Sequence, residues 1–298
     1  MNRRNFLATA AASLAPAFGG GALLGRPPEA SGARARFRSG IVAYSFREAL
    51  KAGTMNYDDL VRLAVETGMD GIDMTTYWFP STDDSFLLPL KRLAAKSCVQ
   101  IYNLGIRVHA AEPTAEAREQ QVAEIRKWVD VAQKMGATHI RVFGGRVPKD
   151  STDEQAIGWA AETLQRGAEY AAARGVIIGL EDDGGITTFA GPTIEIVKRV
   201  DSPWVGINLD TGNFREPKVF DQIESCLPYA VTTHLKTHMR LDDGTSVPAD
   251  WDRIFALYAR HGYKGYMALE YEGKEEPKVA VPRELKRLRG LALKYSAA

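Results

Sequence analysis

The sequence has few cysteines and almost no excess of charge, and both shortages limit what the protein can be. Its 298 residues include only Cys98 and Cys226, too few for a disulfide framework. The apolar surroundings of Cys98 predict a buried structural thiol. Lys and Arg total 38 against 37 Asp and Glu, a formal net charge of +1. A nucleic-acid-binding protein usually carries a basic excess, so we expect no nucleic-acid partner.

The sequence also lacks a long hydrophobic run at its start, which argues against a membrane span there. Instead, paired arginines in Arg3-Arg4-Asn5-Phe6-Leu7 precede a short alanine-rich segment, residues 8–14. This pattern resembles a twin-arginine export signal. We therefore expect residues 1–38 to be an export signal and linker, and the protein to be periplasmic or otherwise exported. After signal cleavage, no membrane span is expected.

A Gly-x-Gly-x-x-Gly motif is missing after the first predicted strand, which argues against a dinucleotide-binding open sheet. From Gly40 onward, short apolar runs alternate with amphipathic segments. The apolar runs predict eight strands: Ile41 to Tyr44, Gly71 to Met74, Val99 to Leu104, His139 to Phe143, Val176 to Leu180, Val205 to Leu209, Ala230 to Leu235 and Tyr266 to Leu269.

Amphipathic segments between these runs predict helices. Residues 117–135 place Val122, Ile125 and Val129 on one face, as a helix packed on a core requires. Helices are predicted at Tyr57 to Glu66, Glu116 to Lys134, Glu154 to Ala173 and Trp251 to Arg260. Alternation of strands and helices predicts parallel βαβ units. We expect an α/β protein with a single (β/α)₈ TIM barrel over residues 39–298, and an open doubly wound sheet is the alternative.

The last four predicted strands each end in a residue that can bind a metal ion: Glu181, Asp210, His234 and Glu270. A carboxylate at the end of a buried strand is costly unless its charge is compensated. Any one of these residues could be a helix cap or an ordinary strand residue. Four in succession at the mouth of a barrel predict a shared cation. Three carboxylates and one imidazole suit Mn, Mg, Co or Zn as the divalent metal.

Other residues near the strand ends are candidates for substrate binding. His109 either contacts substrate or caps a loop. Arg141 and Lys236 would point into the barrel on the face of the ligands, where each either orients substrate or pairs with a ligand carboxylate. The aromatic residues 77–79 and Phe214 fit equally an apolar wall against a sugar and the ordinary core.

Two glycine-rich segments could cradle an anion, although each is also a common turn. They are Gly144-Gly145-Arg146 and Gly184-Gly185. No Gly-x-x-x-x-Gly-Lys-Ser/Thr loop is present. Export would also disfavour a phosphorylated metabolite, so we expect a free or oxidised sugar, a cyclitol or a glycoside as the small-molecule carbohydrate substrate.

Three motifs together carry a family resemblance: Leu-Asp-Thr-Gly-Asn at 209–213, His-Leu-Lys at 234–236 and Ala-Leu-Glu-Tyr-Glu-Gly at 268–273. They resemble the sugar phosphate isomerase/epimerase family of xylose-isomerase-like TIM barrels, over roughly Gly40 to Tyr295. The resemblance implies that the four strand-end residues hold the metal. It also implies that Glu181 and Glu270 are catalytic acid/base groups, which transfer a proton next to a carbonyl through a metal-stabilised enediolate.

The chain departs from the ketose epimerases of that family at three positions. Thr187 stands where those enzymes have a second Glu, Asn213 where they bind substrate through His, and Thr237 where related members often have Asp. Asn213 is therefore a further substrate-binding candidate. A metal-dependent sugar isomerase or epimerase is the leading hypothesis.

Two alternatives remain open. One is a metal-dependent lyase or dehydratase acting on a keto-sugar or inosose, and the other is a non-catalytic exported carbohydrate-binding protein. A homo-oligomer is an expectation that the sequence leaves open.

Overall fold

The structure is a computed structural model that describes residues 34–214, 218–241 and 243–296. The expected twin-arginine motif lies outside these residues. The first strand begins at Arg36, ahead of the expected domain start at residue 39. No described helix combines the length and the apolarity needed to cross a membrane.

Eight parallel strands close into a barrel, which confirms the predicted TIM-barrel fold. Because all eight run in the same direction, their carboxyl ends meet at one mouth. The barrel strands are β1 (Arg36–Val42), β2 (Gly71–Thr75), β3 (Gln100–His109), β4 (His139–Phe143), β5 (Ile177–Glu181), β6 (Val205–Asp210), β7 (Ala230–Lys236) and β10 (Lys264–Glu270). Around the barrel they follow the order β1-β10-β7-β6-β5-β4-β3-β2, and the two short strands between β7 and β10 in the chain, β8 (His238–Arg240) and β9 (Ser246–Pro248), lie outside it.

Helices surround the barrel and begin and end at residues with clear local reasons. In α2, Asn56 and Asp59 form a reciprocal capping box, and Gly68 ends the helix at a φ of 68°. The described helices are α1 (Arg47–Lys51), α2 (Tyr57–Thr67), α3 (Asp84–Lys96), α4 (Ala115–Met135), α5 (Asp153–Ala172), α6 (Ala190–Val200), α7 (Val219–Cys226), α8 (Trp251–Arg260) and α9 (Pro277–Ser296).

Two local features differ from the sequence predictions. The first strand was predicted at 41–44, but β1 ends at Val42 and residues 43–46 form a short 3₁₀ helix. Its early part alternates exposed Arg36 and Arg38 with buried Phe37 and Ser39, and the charged residues obscured the strand pattern. After β7, an unpredicted hairpin pairs β8 (His238–Arg240) with β9 (Ser246–Pro248).

The prediction that Cys98 is buried is wrong, because its side chain is exposed. Cys98 lies in the turn between α3 and β3 with a φ of 55°, and this backbone conformation accompanies a side chain directed away from the core. The neighbouring Val99 is buried instead. Apolar neighbours in sequence therefore did not determine the environment of the thiol. Cys226, at the end of α7, is fully buried.

Candidate metal centre

The four predicted metal ligands lie together at the carboxyl end of the barrel. Glu181, Asp210 and Glu270 are the last residues of β5, β6 and β10, and His234 lies near the end of β7. All four are buried, and one potential ligand atom from each lies within 4.8 Å of the others. Barrel closure therefore brings together side chains from four separate strands.

This cluster gathers three carboxylates and one imidazole in a buried space. Asp210 Oδ2 and His234 Nδ1 are buried without a hydrogen-bond partner. Burial raises the pKa of Asp210 well above its ordinary value. Burial opposes protonation of His234, but the charges of Glu270 and Glu181 raise its pKa above the usual range. Four buried oxygen and nitrogen donors this close together fit a divalent cation, and their chemistry suits Mn, Mg, Co or Zn.

The predicted substrate residue Lys236 contacts the acidic cluster directly. Its Nζ lies 3.0 Å from Glu270 Oε2 and 3.4 Å from Asp210 Oδ2, and it also pairs with Glu272. Burial raises the pKa of Glu270, but the charges of Lys236 and His234 outweigh that effect and hold it at about 2. The structure therefore shows Lys236 as a counter-charge to two of the four ligand candidates.

Arg141 is the counter-charge to the other glutamate of the cluster, Glu181. It is buried in β4, and its Nε lies 3.1 Å from Glu181 Oε2. Its Nη1 donates a hydrogen bond to Tyr77 Oη over 2.9 Å, and its guanidinium packs on the ring of Phe143. A side chain at Gly105 would approach within 2.8 Å of Arg141 Nη2, so glycine is needed there to leave room for the guanidinium. Each glutamate thus has its own buried cation.

Two hollows adjoin the cluster at the barrel mouth. The Lys236 hollow, about 680 Å³, is lined by Asn213, Lys236, Glu272 and the β8–β9 hairpin. The His109 hollow, about 290 Å³, is lined by His109, Asp183 and both glycine-rich segments. Burial lowers the pKa of His109, which favours the neutral imidazole. All four predicted substrate residues therefore lie at this end of the barrel, and Arg141 is the most deeply enclosed.

The glycine-rich segments pack against each other. A side chain at Gly185 would collide with the carbonyl oxygen of Gly145, and one at Gly144 would lie 2.5 Å from Thr187 Cγ2. The same carbonyl of Gly145 accepts a hydrogen bond from the amide of Ile186 over 3.0 Å. Close contact between the loops after β4 and β5 is thus one reason for glycine at these positions.

The aromatic candidates divide into two groups. Tyr77 and Trp78 form a half-buried cluster with Tyr44, whose ring stacks on Trp78 at 6.1 Å between centroids. Phe79 instead packs against Tyr57 at 4.6 Å, and Phe214 is fully buried. The first group lies beside Arg141, to which Tyr77 is hydrogen-bonded, whereas Phe214 belongs to the core and Phe79 packs against it.

Sequence reasoning missed two buried polar residues that support the ligand candidates. Asp73, in β2, places Oδ2 2.9 Å from His234 Nε2. Asn208, in β6, donates from Nδ2 to Glu181 Oε1 over 3.4 Å. In the sequence, each of the two is a polar residue inside a strand that is mostly apolar. Such a signal does not identify the partner across the barrel.

The positions that depart from the ketose epimerases also have defined environments. Thr187 is buried, and its hydroxyl donates to the carbonyl of Gly184 over 2.9 Å, so this oxygen is engaged within its own loop. Thr237 lines the Lys236 hollow together with Asn213. Asp182, beside the ligand candidate Glu181, accepts a hydrogen bond from the backbone amide of Asp210 over 2.7 Å. That contact ties the ends of β5 and β6 together.

Comparison with known structures finds the same fold at low sequence identity. A 3-keto-D-glucoside 4-epimerase from E. coli matches at a TM-score of 0.70 with 15% identity, covering 86% of this chain and 100% of the other. A probable 3-DHS dehydratase from Bacillus anthracis matches at 0.66 with 18% identity, covering 85% and 98%. The IOLI protein, solved with a zinc atom, matches at 0.72 with 15% identity, covering 87% and 98%. These likenesses show the fold alone.

No curated protein sequence matches the chain. A family model described as the xylose isomerase-like TIM barrel matches residues 61–291, which include most of the barrel and all four ligand candidates. Both the closed parallel barrel and this match agree with the resemblance carried by the three sequence motifs. The chain belongs to the xylose isomerase-like TIM barrel family.

Proposed function

We propose that this protein is a metal-dependent sugar isomerase or epimerase that transfers a proton next to a carbonyl. The observation that carries the proposal is a pair of buried glutamates within one cluster of four potential metal ligands. Glu181 Oε1 lies 2.8 Å and Glu270 Oε2 lies 3.7 Å from the same atom, His234 Nδ1. These carboxylates come from β5 and β10, which are separated in the barrel by β6 and β7.

The positions of these side chains suggest a role for each of them in the proposed reaction. Glu181, Asp210, His234 and Glu270 would hold a divalent cation, which supplies positive charge to substrate oxygens when a neighbouring carbon loses its proton. Glu270, at the end of β10, is the carboxylate that would accept this proton. Glu181, in its protonated form, would deliver a proton from another side of the substrate, and exchange with solvent would then restore both groups. Arg141 and Lys236 hold the two glutamates in place.

The two hollows provide room for a carbohydrate beside the cluster. Asn213 and Lys236 offer polar groups in the larger hollow, and His109 offers a neutral imidazole in the smaller one. Tyr44 and Trp78 present aromatic surface near the same mouth. This combination supports a free or oxidised sugar, a cyclitol or a glycoside as substrate. The N-terminal Arg3-Arg4 motif supports an exported protein, which is part of the same proposal.

A lyase acting on a keto-sugar or inosose is the second candidate. It shares the initial proton removal but expels a leaving group instead of returning the proton. Thr187 favours it, since a hydroxyl held by the carbonyl of Gly184 stands where ketose epimerases carry a second glutamate.

Metal analysis of the purified full chain followed by NMR in D₂O tests the proposal. Ketoses, 3-keto-sugars and inososes are incubated with protein loaded with Mn²⁺ or Co²⁺, with chelator-treated protein and with Glu181→Gln. An isomerase or epimerase gives a product of unchanged composition that contains solvent deuterium, and chelation abolishes its formation. A product lighter by one water supports the lyase. Ligand retention without turnover indicates a binding protein, and chelator-insensitive activity contradicts the metal-dependent mechanism.

A further inference from the structure

Asp73 is a buried carboxylate that the proposed reaction does not use directly. It lies in the middle of β2, is 1% exposed, and comes from a part of the chain 161 residues before His234. Its Oδ2 lies 2.9 Å from His234 Nε2 and accepts a hydrogen bond from Asn103 Nδ2 over 2.6 Å. An ionisable side chain so deeply buried needs a specific partner. For Asp73 this partner is Nε2 of the metal-ligand candidate His234.

The contact with Asp73 determines which edge of the imidazole faces the cluster. With Nε2 directed at the carboxylate, Nδ1 points to the metal-ligand candidates, and it lies 2.8 Å from Glu181 Oε1 and 3.7 Å from Glu270 Oε2. An imidazole that binds a cation is neutral, so it donates from one nitrogen and offers the lone pair of the other. Nδ1 is therefore the nitrogen available to a cation. Histidine ligands of metal ions commonly donate their second N–H to a carboxylate in this way.

We propose that Asp73 is a positioning residue that orients His234 for cation binding, and that Asn103 holds Asp73 in place. This inference rests on the metal centre of the proposed function. Asp73 acts through His234, since none of its contacts reaches the three carboxylate ligand candidates. Its position on β2 links the ligands on β5, β6, β7 and β10 to the opposite side of the barrel.

The test compares Mn²⁺ binding by metal-free wild-type protein and Asp73→Asn, measured by calorimetry and by the EPR signal of free Mn²⁺. We expect the dissociation constant to rise about tenfold to a hundredfold in the variant. Asp70→Asn is the matched control, because Asp70 precedes the same strand and its side chain accepts hydrogen bonds from Ser39, away from the cluster. The control should bind Mn²⁺ as tightly as the wild type.

Nitrogen NMR of the histidine rings separates positioning from a purely structural role. In Zn²⁺-loaded wild type, the His234 signals should show a protonated Nε2 and a metal-bound Nδ1, and Asp73→Asn should lose this defined pattern. Asp73→Glu, which keeps the carboxylate, should recover part of the affinity. A folded Asp73→Asn with unchanged Mn²⁺ affinity and an unchanged His234 spectrum would overturn the proposal.

Asn103→Ser keeps the inference testable if Asp73→Asn does not fold. It removes the amide that holds Asp73 but leaves both members of the Asp73–His234 contact. We expect a weakening of Mn²⁺ binding of less than about tenfold, and unchanged affinity would contradict the role given to Asn103. A wild-type protein that binds no divalent metal would instead refute the metal centre itself, so the two failures are distinguishable.

Discussion

The two ends of the barrel have hollows of similar size but very different chemistry. The amino-end hollow, about 710 Å³, is lined by residues such as Arg36, Arg38, Asp70 and Cys98. Its polar groups are satisfied locally, since Asp70 accepts two hydrogen bonds from Ser39 and Arg38 donates to Gln100. At the carboxyl end, in contrast, Asp210 Oδ2 and His234 Nδ1 make close ion-pair contacts but no aligned hydrogen bond with any described residue.

Because the two hollows have nearly the same volume, cavity volume does not indicate which end of the barrel holds the candidate metal centre. Buried acceptors without partners are costly, so they persist where a ligand or a cation supplies the missing interaction. At the amino end the same kinds of side chain form hydrogen bonds with one another, as expected for a region that contributes stability. Four perturbations test this contrast.

Removing the imidazole of the cluster should have the largest effect. His234→Ala deletes a ligand candidate and removes one of the two hydrogen-bond partners of Asp73 Oδ2, so we expect loss of stoichiometric metal, measured by elemental analysis after dialysis. His261→Ala is the matched control, because His261 pairs with Glu224 on the surface. Equal metal content in both variants would place the cation elsewhere.

Neutralising one glutamate should slow turnover strongly while the protein stays folded. Loss of an acid/base group typically costs a factor of about 10² to 10⁴, and we expect a kcat decrease of that size for Glu270→Gln with an active substrate. Glu275→Gln serves as control, since Glu275 pairs with Arg283 at the surface. A kcat within a factor of two of the wild type would remove Glu270 from the mechanism.

Breaking the buried ion pair on the other side should reduce stability. Arg141→Met leaves Glu181 without its cation, and such removal of one partner costs about 3–5 kcal/mol in the free energy of unfolding. Urea denaturation of the metal-free protein measures this cost. Arg283→Met at a surface pair should change stability little. Equal denaturation midpoints for both variants would contradict the importance of the buried pair.

The smallest effect is expected from modification at the amino end. A thiol reagent should label exposed Cys98 in the native protein, whereas Cys226 should react only after unfolding, because burial raises its pKa and shields it. Labelling of Cys98 should leave turnover and metal content unchanged, as counted by mass spectrometry and assayed in parallel. Loss of activity on labelling would connect the amino-end hollow to function.

Sequence patterns predicted the barrel well where the signal is local. The strand predicted at His139 to Phe143 matches β4, and the helix predicted at Trp251 to Arg260 matches α8. Prediction failed at β1, where exposed arginines alternate with buried residues, and at Cys98, where the turn geometry decides exposure. The β8–β9 hairpin was not predicted either, since its three-residue strands are too short to show a clear periodicity.

By itself, the sequence determined the alternation of strands and helices and the four polar residues at the last strand ends. These are local properties, set by side-chain periodicity and by the cost of a buried charge. Only the tertiary structure decided which cation faces which glutamate, and that Asp73 meets His234 across the barrel. Such pairings depend on barrel closure, which brings strands distant in the chain to within hydrogen-bonding distance, and no local pattern encodes that distance.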